Sequence, residues 1–211
     1  MPEIRIEPSD ALLVIDLQPD FMPGGALAVA EGDTLVPLAN ALMRRFAVVV
    51  ITQDWHPPGH ASFASTHGAA PFSTRELHYG DQTLWPDHCV QGTAGAALHP
   101  ELETDGAVLI LRKGMHEAVD SYSAFVEADG KTTTGLAALL HARGVRRIFC
   151  CGLATDYCVA YSALDARKAG FAAFVIEDAC RAIDADGSLE AAWAQMNAAE
   201  VFRVQSREIL S

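Results

Sequence analysis

Ala11-Leu12-Leu13-Val14-Ile15 contains no polar position, and that continuity decides the fold. A strand wetted on one face alternates apolar with polar residues. A run that is apolar throughout belongs to a strand covered on both faces, the signature of a parallel sheet sandwiched by helices. Similar runs recur at Ala47-Val48-Val49-Val50-Ile51 and Ala107-Val108-Leu109-Ile110-Leu111. Shorter or mixed runs follow at 145–150, 171–176 and 201–204, and between the runs lie stretches of helical period near 33–46, 134–143, 156–169 and 187–199. Gly144 and Gly170 stand where helix C-caps belong, each just before a strand. Asp186 or Ser188 is expected to cap the last helix. The alternation predicts a three-layer α/β fold with about six parallel strands and helices on both faces, in a single domain over 1–211.

Composition narrows the class. Of the 211 residues, 50% are hydrophobic and 20% charged, too apolar for a disordered chain. No window nears the ~20 uninterrupted apolar residues of a membrane span, and the start, MPEIRIEPSD, reads as no secretory signal. Fifteen Lys and Arg against 27 Asp and Glu give a formal net charge of −12, which draws the protein neither to nucleic acid nor to anionic lipid. Five cysteines, two of them adjacent (Cys150 and Cys151), read as reduced thiols of a cytoplasmic protein. Whether the chain forms a homo-oligomer is left open.

The alternation lapses at about 54–106. This segment nonetheless holds six of the eight histidines and two of the three tryptophans. Irregular stretches beyond ~15 residues are uncommon inside compact domains and usually functional or disordered. Trp55, Phe63, Phe72, Tyr79 and Trp85 argue for order, so an active-site excursion is expected.

In an open parallel sheet, ligands bind beyond the carboxyl ends of the strands. That selects Asp16 after the first run, Asp54 after the second, Lys113 after the third, and Gly152-Leu153-Ala154-Thr155-Asp156-Tyr157-Cys158 after the fourth. Cys158 falls in the first turn of a helix, where the dipole and free N–H groups would lower a thiol pKa and hold an oxyanion. Against this stands the commoner fate of a cysteine, quiet burial, which fits Cys150, Cys151 and Cys180. Asp16 and Lys113 are costly at the ends of apolar runs unless paired or functional. They read either as a structural ion pair or, with Cys158, as a nucleophile and its proton-transfer partners. Asp54-x-His56 with a distant His88 has the makings of a metal site with open positions for Zn²⁺ or Fe²⁺. His60 could be a further ligand or merely line the site. His67, His78, His99, His116 and His141 read as solvated or structural.

Five motifs occur together and in order: Val14-Ile15-Asp16-Leu17-Gln18-Pro19-Asp20-Phe21, Asp54-Trp55-His56-Pro57, Leu84-Trp85-Pro86-Asp87-His88-Cys89, Arg112-Lys113-Gly114 and Gly152-Leu153-Ala154-Thr155-Asp156-Tyr157-Cys158-Val159. Over nearly the whole chain this resembles the bacterial nicotinamidase/pyrazinamidase family of isochorismatase-like cysteine hydrolases. The resemblance implies hydrolysis of nicotinamide, and of pyrazinamide in some members, to the acid and ammonia. It implies Asp16, Lys113 and Cys158 as catalytic triad, and Asp54, His56 and His88 as ligands of one divalent metal, zinc foremost, with Fe²⁺ or Mn²⁺ as alternatives. It also implies a cis peptide before Ala154, whose N–H joins that of Cys158 in the oxyanion hole. Phe21, Trp85 and Tyr122 would surround the pyridine ring beside Ala154. Two rivals remain at this level. A metal-free isochorismatase, carbamoyl-amide or ureidoacrylate hydrolase would share the Asp–Lys–Cys pattern. A non-enzymatic α/β binding module would share the alternation, although no Gly-x-Gly-x-x-Gly follows the first run.

Overall fold

The computed structural model describes residues 4–211. Six strands form one all-parallel sheet: β1 (Asp10–Ile15), β2 (Val48–Asp54), β5 (Leu109–Lys113), β6 (Arg147–Leu153), β7 (Ala172–Arg181) and β8 (Phe202–Val204). Their order across the sheet is β5-β2-β1-β6-β7-β8. Every residue of β1 and β2 is buried. Burying one Leu, Ile or Val contributes roughly 1.5–3 kcal/mol, so these two strands anchor the core.

The helices are α1 (Leu35–Met43), α2 (Leu136–Ala142), α3 (Ala160–Lys168), α4 (Ser188–Ala198) and α5 (Arg207–Leu210). α1 packs on β1, β6 and β7 and carries α5, while α3 packs on β6 and β7 and carries α4. Gly144 and Gly170 follow α2 and α3 with φ of 71° and 91°, the left-handed conformation a C-terminal glycine supplies without a Cβ penalty.

The strand order reverses beside β1. The chain builds β2 and β5 outward on one side, then crosses back to place β6 on the other. A crevice opens at such a switch point beyond the carboxyl ends. Gly152 lets the two central strands meet there: at φ 117°, a Cβ would sit 2.1 Å from the Ile15 carbonyl oxygen.

Four details differ from the sequence reading. β5 is an edge strand with Ile110 44% exposed, so its apolar run is not covered on both faces, and it lies two residues later than the run suggests. The excursion contains an antiparallel hairpin, β3 (Thr74–Leu77) and β4 (Gly80–Thr83). Neither Asp186 nor Ser188 caps α4: the N-cap is Gly187, and the Ser188 hydroxyl donates instead to Asp156 at 2.6 Å. The turn holding Cys158 is a wide π-type turn over Thr155–Val159 that precedes α3. No helix among the described residues is long and apolar enough to cross a membrane.

Candidate active site

Asp16 follows β1 directly and takes a left-handed φ of 51°, a conformation tolerated by Asp more than by most residues. Thr52 on the neighbouring strand fixes it. The Asp16 N–H donates to Thr52 Oγ1 at 3.2 Å, and the Thr52 hydroxyl donates to Asp16 Oδ1 at 2.7 Å. Asp16 Oδ2 is the one buried side-chain polar atom among the described residues that accepts no well-formed hydrogen bond. Two groups face it. Lys113 Nζ lies 2.9 Å away as an ion partner, and Cys158 Sγ lies within 4.8 Å of the Asp16 and Asp54 carboxylates.

Lys113 comes from the edge strand β5, in register with Asp54 on β2. Its side chain crosses toward the switch point, where Nζ is 2.5 Å from Asp54 Oδ1, 3.1 Å from the Ser121 carbonyl and 3.3 Å from Cys158 Sγ. Burial disfavours the ammonium, but Asp16 and Asp54 outweigh burial and push the Lys113 pKa well above its ordinary value. Burial raises the Asp16 pKa against the pull of Lys113. Burial also raises that of the Cys158 thiol, with Lys113 opposing. The expected lowering of this thiol is therefore not found. The turn's dipole does not offset burial beside two carboxylates, and the sulfur lies within 4.8 Å of the Asp16 carboxylate.

Asp54 spends its second oxygen elsewhere. Oδ2 lies 3.5 Å from His56 Nε2 and 3.9 Å from His88 Nε2, and the three ligand atoms fall within 4.8 Å of one another. Each ring is oriented from behind: His56 Nδ1 bonds the Gly114 carbonyl at 2.9 Å, and His88 Nδ1 bonds the Pro86 carbonyl at 2.8 Å. A carbonyl only accepts, so each Nδ1 carries a proton and each Nε2 is turned toward Asp54. Asp54 raises the His56 pKa against the effect of burial, and two imidazoles and a carboxylate converging on one point are a donor set that fits a divalent cation once the ring nitrogens give up their protons. Gly114 is required for this: at φ 66°, a Cβ would lie 2.4 Å from the His56 ring. Burial and the neighbouring His56 hold His88 near pKa 4. Burial works to raise the Asp54 pKa, but Lys113 and the imidazoles hold it far below the usual carboxylate range.

His60 is buried beside this cluster, its ring 4.3 Å from that of His56. Both its nitrogens are engaged, Nδ1 with the Ser62 hydroxyl at 2.7 Å and Nε2 with the Val119 carbonyl at 3.2 Å. Of the histidines read as peripheral, His141 stacks on Phe171 and His116 pairs with Glu127 near the surface.

A tight cavity of about 20 Å³ joins the two clusters. Phe21, Trp85, Tyr122, Ala154 and Cys158 line it, with Asp54, His56 and His88. The Leu153–Ala154 peptide is cis. The Trp85 indole N–H donates to the Tyr122 hydroxyl at 2.9 Å, and Gln82 from β4 donates to the same oxygen at 2.9 Å. A wider cleft of about 310 Å³ lies behind Tyr122 and Gln82 and contains none of Asp16, Lys113 and Cys158.

Several residues given no individual role from the sequence build this site. Gln18, fully buried, donates to the carbonyls of Asp54 at 2.8 Å and Ala96 at 2.9 Å and accepts from the Asp54 N–H at 2.7 Å. It prolongs the β1–β2 ladder beyond the end of β1 and fixes Asp54. Asp120, Leu27, Tyr157 and Ile183 also line the cavity.

The isochorismatase domain model matches residues 10–206. A curated nicotinamidase of Acinetobacter baylyi is 54% identical over 213 residues, covering 100% of both chains. Among solved structures, a nicotinamidase/pyrazinamidase of Acinetobacter baumannii superposes with TM-score 0.94 at 54% identity, covering 96% of this chain and 98% of its own. A pyrazinamidase of Pyrococcus horikoshii in complex with zinc superposes with TM-score 0.76 at 38% identity, covering 94% and 99%. With the parallel sheet, the switch-point crevice and this match over most of its length, the chain belongs to the isochorismatase domain family.

Proposed function

We propose that the protein is a nicotinamidase, an amidohydrolase that converts nicotinamide to nicotinate and ammonia through a cysteine thioester, and that its cavity also admits pyrazinamide. The observation that carries this is the meeting of Asp16 and Lys113 with Cys158, whose side chain lines an aromatic cavity shared with the Asp54–His56–His88 cluster. The names of the relatives at 54% identity support the substrate.

Asp16 takes the proton of the Cys158 thiol on its carboxylate, and the thiolate attacks the carboxamide carbon. Lys113 stays charged and balances the sulfur during that transfer. The N–H groups of Ala154 and Cys158 hold the oxyanion, a contribution worth ~10²-fold or more in comparable sites. Asp16 then returns the proton to the departing ammonia, since an amide nitrogen leaves only when protonated. Water attacks the remaining thioester, Asp16 receives its proton, and proton return to the sulfur restores the thiol as nicotinate leaves. Phe21, Trp85 and Tyr122 hold the flat ring so that its carboxamide meets Cys158.

Asp54, His56 and His88 would hold one divalent ion, which supplies a Lewis-acidic anchor for the ring. We take this ion to be zinc, with Fe²⁺ or Mn²⁺ accepted by the same ligand set. The zinc complex of the Pyrococcus pyrazinamidase supports that reading. Ammonia release from nicotinamide, measured before and after exhaustive chelation, tests both halves. Release that falls with the metal and returns on its addition is expected. A protein that yields no ammonia from nicotinamide, or one fully active with no bound metal, would overturn the reading.

A further inference from the structure

The cavity wall contains one apolar side chain from a segment remote from all five motifs. Ile183 lies between β7 and α4 and lines the same space as Phe21, Leu27 and Cys158. The connection that carries it has little regular structure: Asp184, Asp186 and Gly187 all take left-handed φ values, of 52°, 52° and 80°. Non-glycine residues persist in that region only where surroundings over-determine them, and such positions cluster at ligand sites.

Asp156 supplies the determination. Its carboxylate is buried and accepts three bonds from this connection: the Ile183 N–H at 3.1 Å, the Asp184 N–H at 2.8 Å and the Ser188 hydroxyl at 2.6 Å. Asp156 stands two residues before Cys158 in the same π-type turn, so the turn that presents the sulfur also fixes the segment that carries Ile183. From the start of the connection, Arg181 reaches Glu31 at 3.1 Å, tying it to the segment that follows Leu27.

We propose that Ile183, held in place by the Asp156 carboxylate, sets how large a ring the cavity admits, with Asp156 as its positioning residue. The inference rests on the reading of the site as an aromatic-carboxamide hydrolase. Ile183 bears no group that could take part in the chemistry, so its contribution is the space it fills. In an apolar pocket, discrimination by bulk runs from about tenfold upward as methyl-sized groups are added or removed.

The experiment compares kcat/KM for nicotinamide and for quinoline-3-carboxamide, the same ring carrying a fused benzo group. Ile183→Ala is expected to raise the quinoline-to-nicotinamide ratio by about tenfold or more. Asp156→Asn presents an amide N–H to one of its three donors and loosens the connection. It should move the ratio the same way by a smaller factor, with KM for nicotinamide rising more than kcat falls. In the double variant, Asp156→Asn should add nothing to the ratio already reached by Ile183→Ala, because the side chain it positions is gone. Should Asp156→Asn fail to fold, Ser188→Ala, which removes one of the three bonds, takes its place. A ratio that stays within about twofold of wild type in Ile183→Ala, or full additivity in the double variant, would overturn the inference. A wild-type protein that releases no ammonia from nicotinamide would instead overturn the underlying functional reading.

Discussion

The two walls of the cavity are built in different ways. The wall holding Asp16 and Cys158 grows from the ends of β1 and β6, the innermost strands, with backbones locked on both sides by parallel ladders. The wall holding His56, Trp85 and His88 belongs to an excursion beyond β2 whose backbone pairing is a small hairpin and two isolated bridges, His56 with Val90 and Phe63 with Trp85. Scattered single bonds fix it in place of continuous ladders: the His56 N–H to the Cys89 carbonyl, the Trp85 N–H to the Ser62 carbonyl, and one carbonyl behind each imidazole. On the proposed reading, the groups that make and break bonds stand at or just beyond the ends of the sheet strands. Groups that recognise a ligand sit on a loop that a rigid frame carries, the usual division of labour in α/β enzymes.

The contrast can be broken by experiment. If it holds, damage to the sheet wall lowers kcat and spares metal binding, while damage to the excursion wall does the reverse. The largest effect is expected for Cys158→Ala: a fall in kcat of at least ~10⁴-fold with bound metal and melting temperature retained, since loss of a nucleophile typically costs that much or more. Metal lost along with activity would show that the walls are not separable. In the wild-type protein, burial favours the neutral thiol, so alkylation of Cys158 should speed up as pH is raised past about 8.5, the ordinary cysteine value. A rate already on its plateau at pH 7 would contradict the enclosure of that sulfur. Cys150 and Cys151, wholly buried inside β6, should remain unlabelled in the folded protein.

His88→Ala should come next in size, with loss of stoichiometric metal in elemental analysis and a raised KM for nicotinamide. Undiminished metal content would remove it from the ligand set. Gly114→Ala sharpens the comparison, because Gly114 follows β5 yet supports the excursion wall through His56. Its Cβ must displace the ring, so chelator competition should show metal affinity weakened by roughly 10–100-fold, the usual cost of disturbing a ligand's support. The smallest effect is expected for Thr52→Val, which removes the hydroxyl donated to Asp16 Oδ1. Leaving a buried acceptor unpaired costs about 1–3 kcal/mol. That should appear as a roughly tenfold lower kcat with KM and metal content near wild type.

The sheet wall was also the more legible of the two. Leu12, Leu13, Val14 and Ile15 announce a doubly covered strand because burial on both faces leaves no room for a polar residue, and the charged residue that ends the run is then conspicuous. The hairpin over Thr74–Leu77 and Gly80–Thr83 gave no such signal. Thr74, Arg75 and Glu76 are exposed, so no alternation is imprinted on them. Thr52 and Gln18 were missed as supports for a different reason: their partners lie 36 residues away, and nothing local in the chain foretells a bond to a residue on the neighbouring strand. The thiol of Cys158 was misjudged because its place in a helical turn is visible in sequence, whereas the enclosure that outweighs the dipole exists only once the sheet has closed around it.

Asp54 faces both walls, one oxygen on the Lys113 ammonium and the other toward the imidazoles. On the proposed reading, recognition and reaction are consequently not independent modules in this scaffold. A redesign that dispensed with the metal by mutating Asp54 would also strip the lysine of one of its two counter-charges and disturb the acidity of the nucleophile. Retargeting this chain to substrates that need no metal should therefore begin at His56 and His88 and keep a carboxylate at position 54.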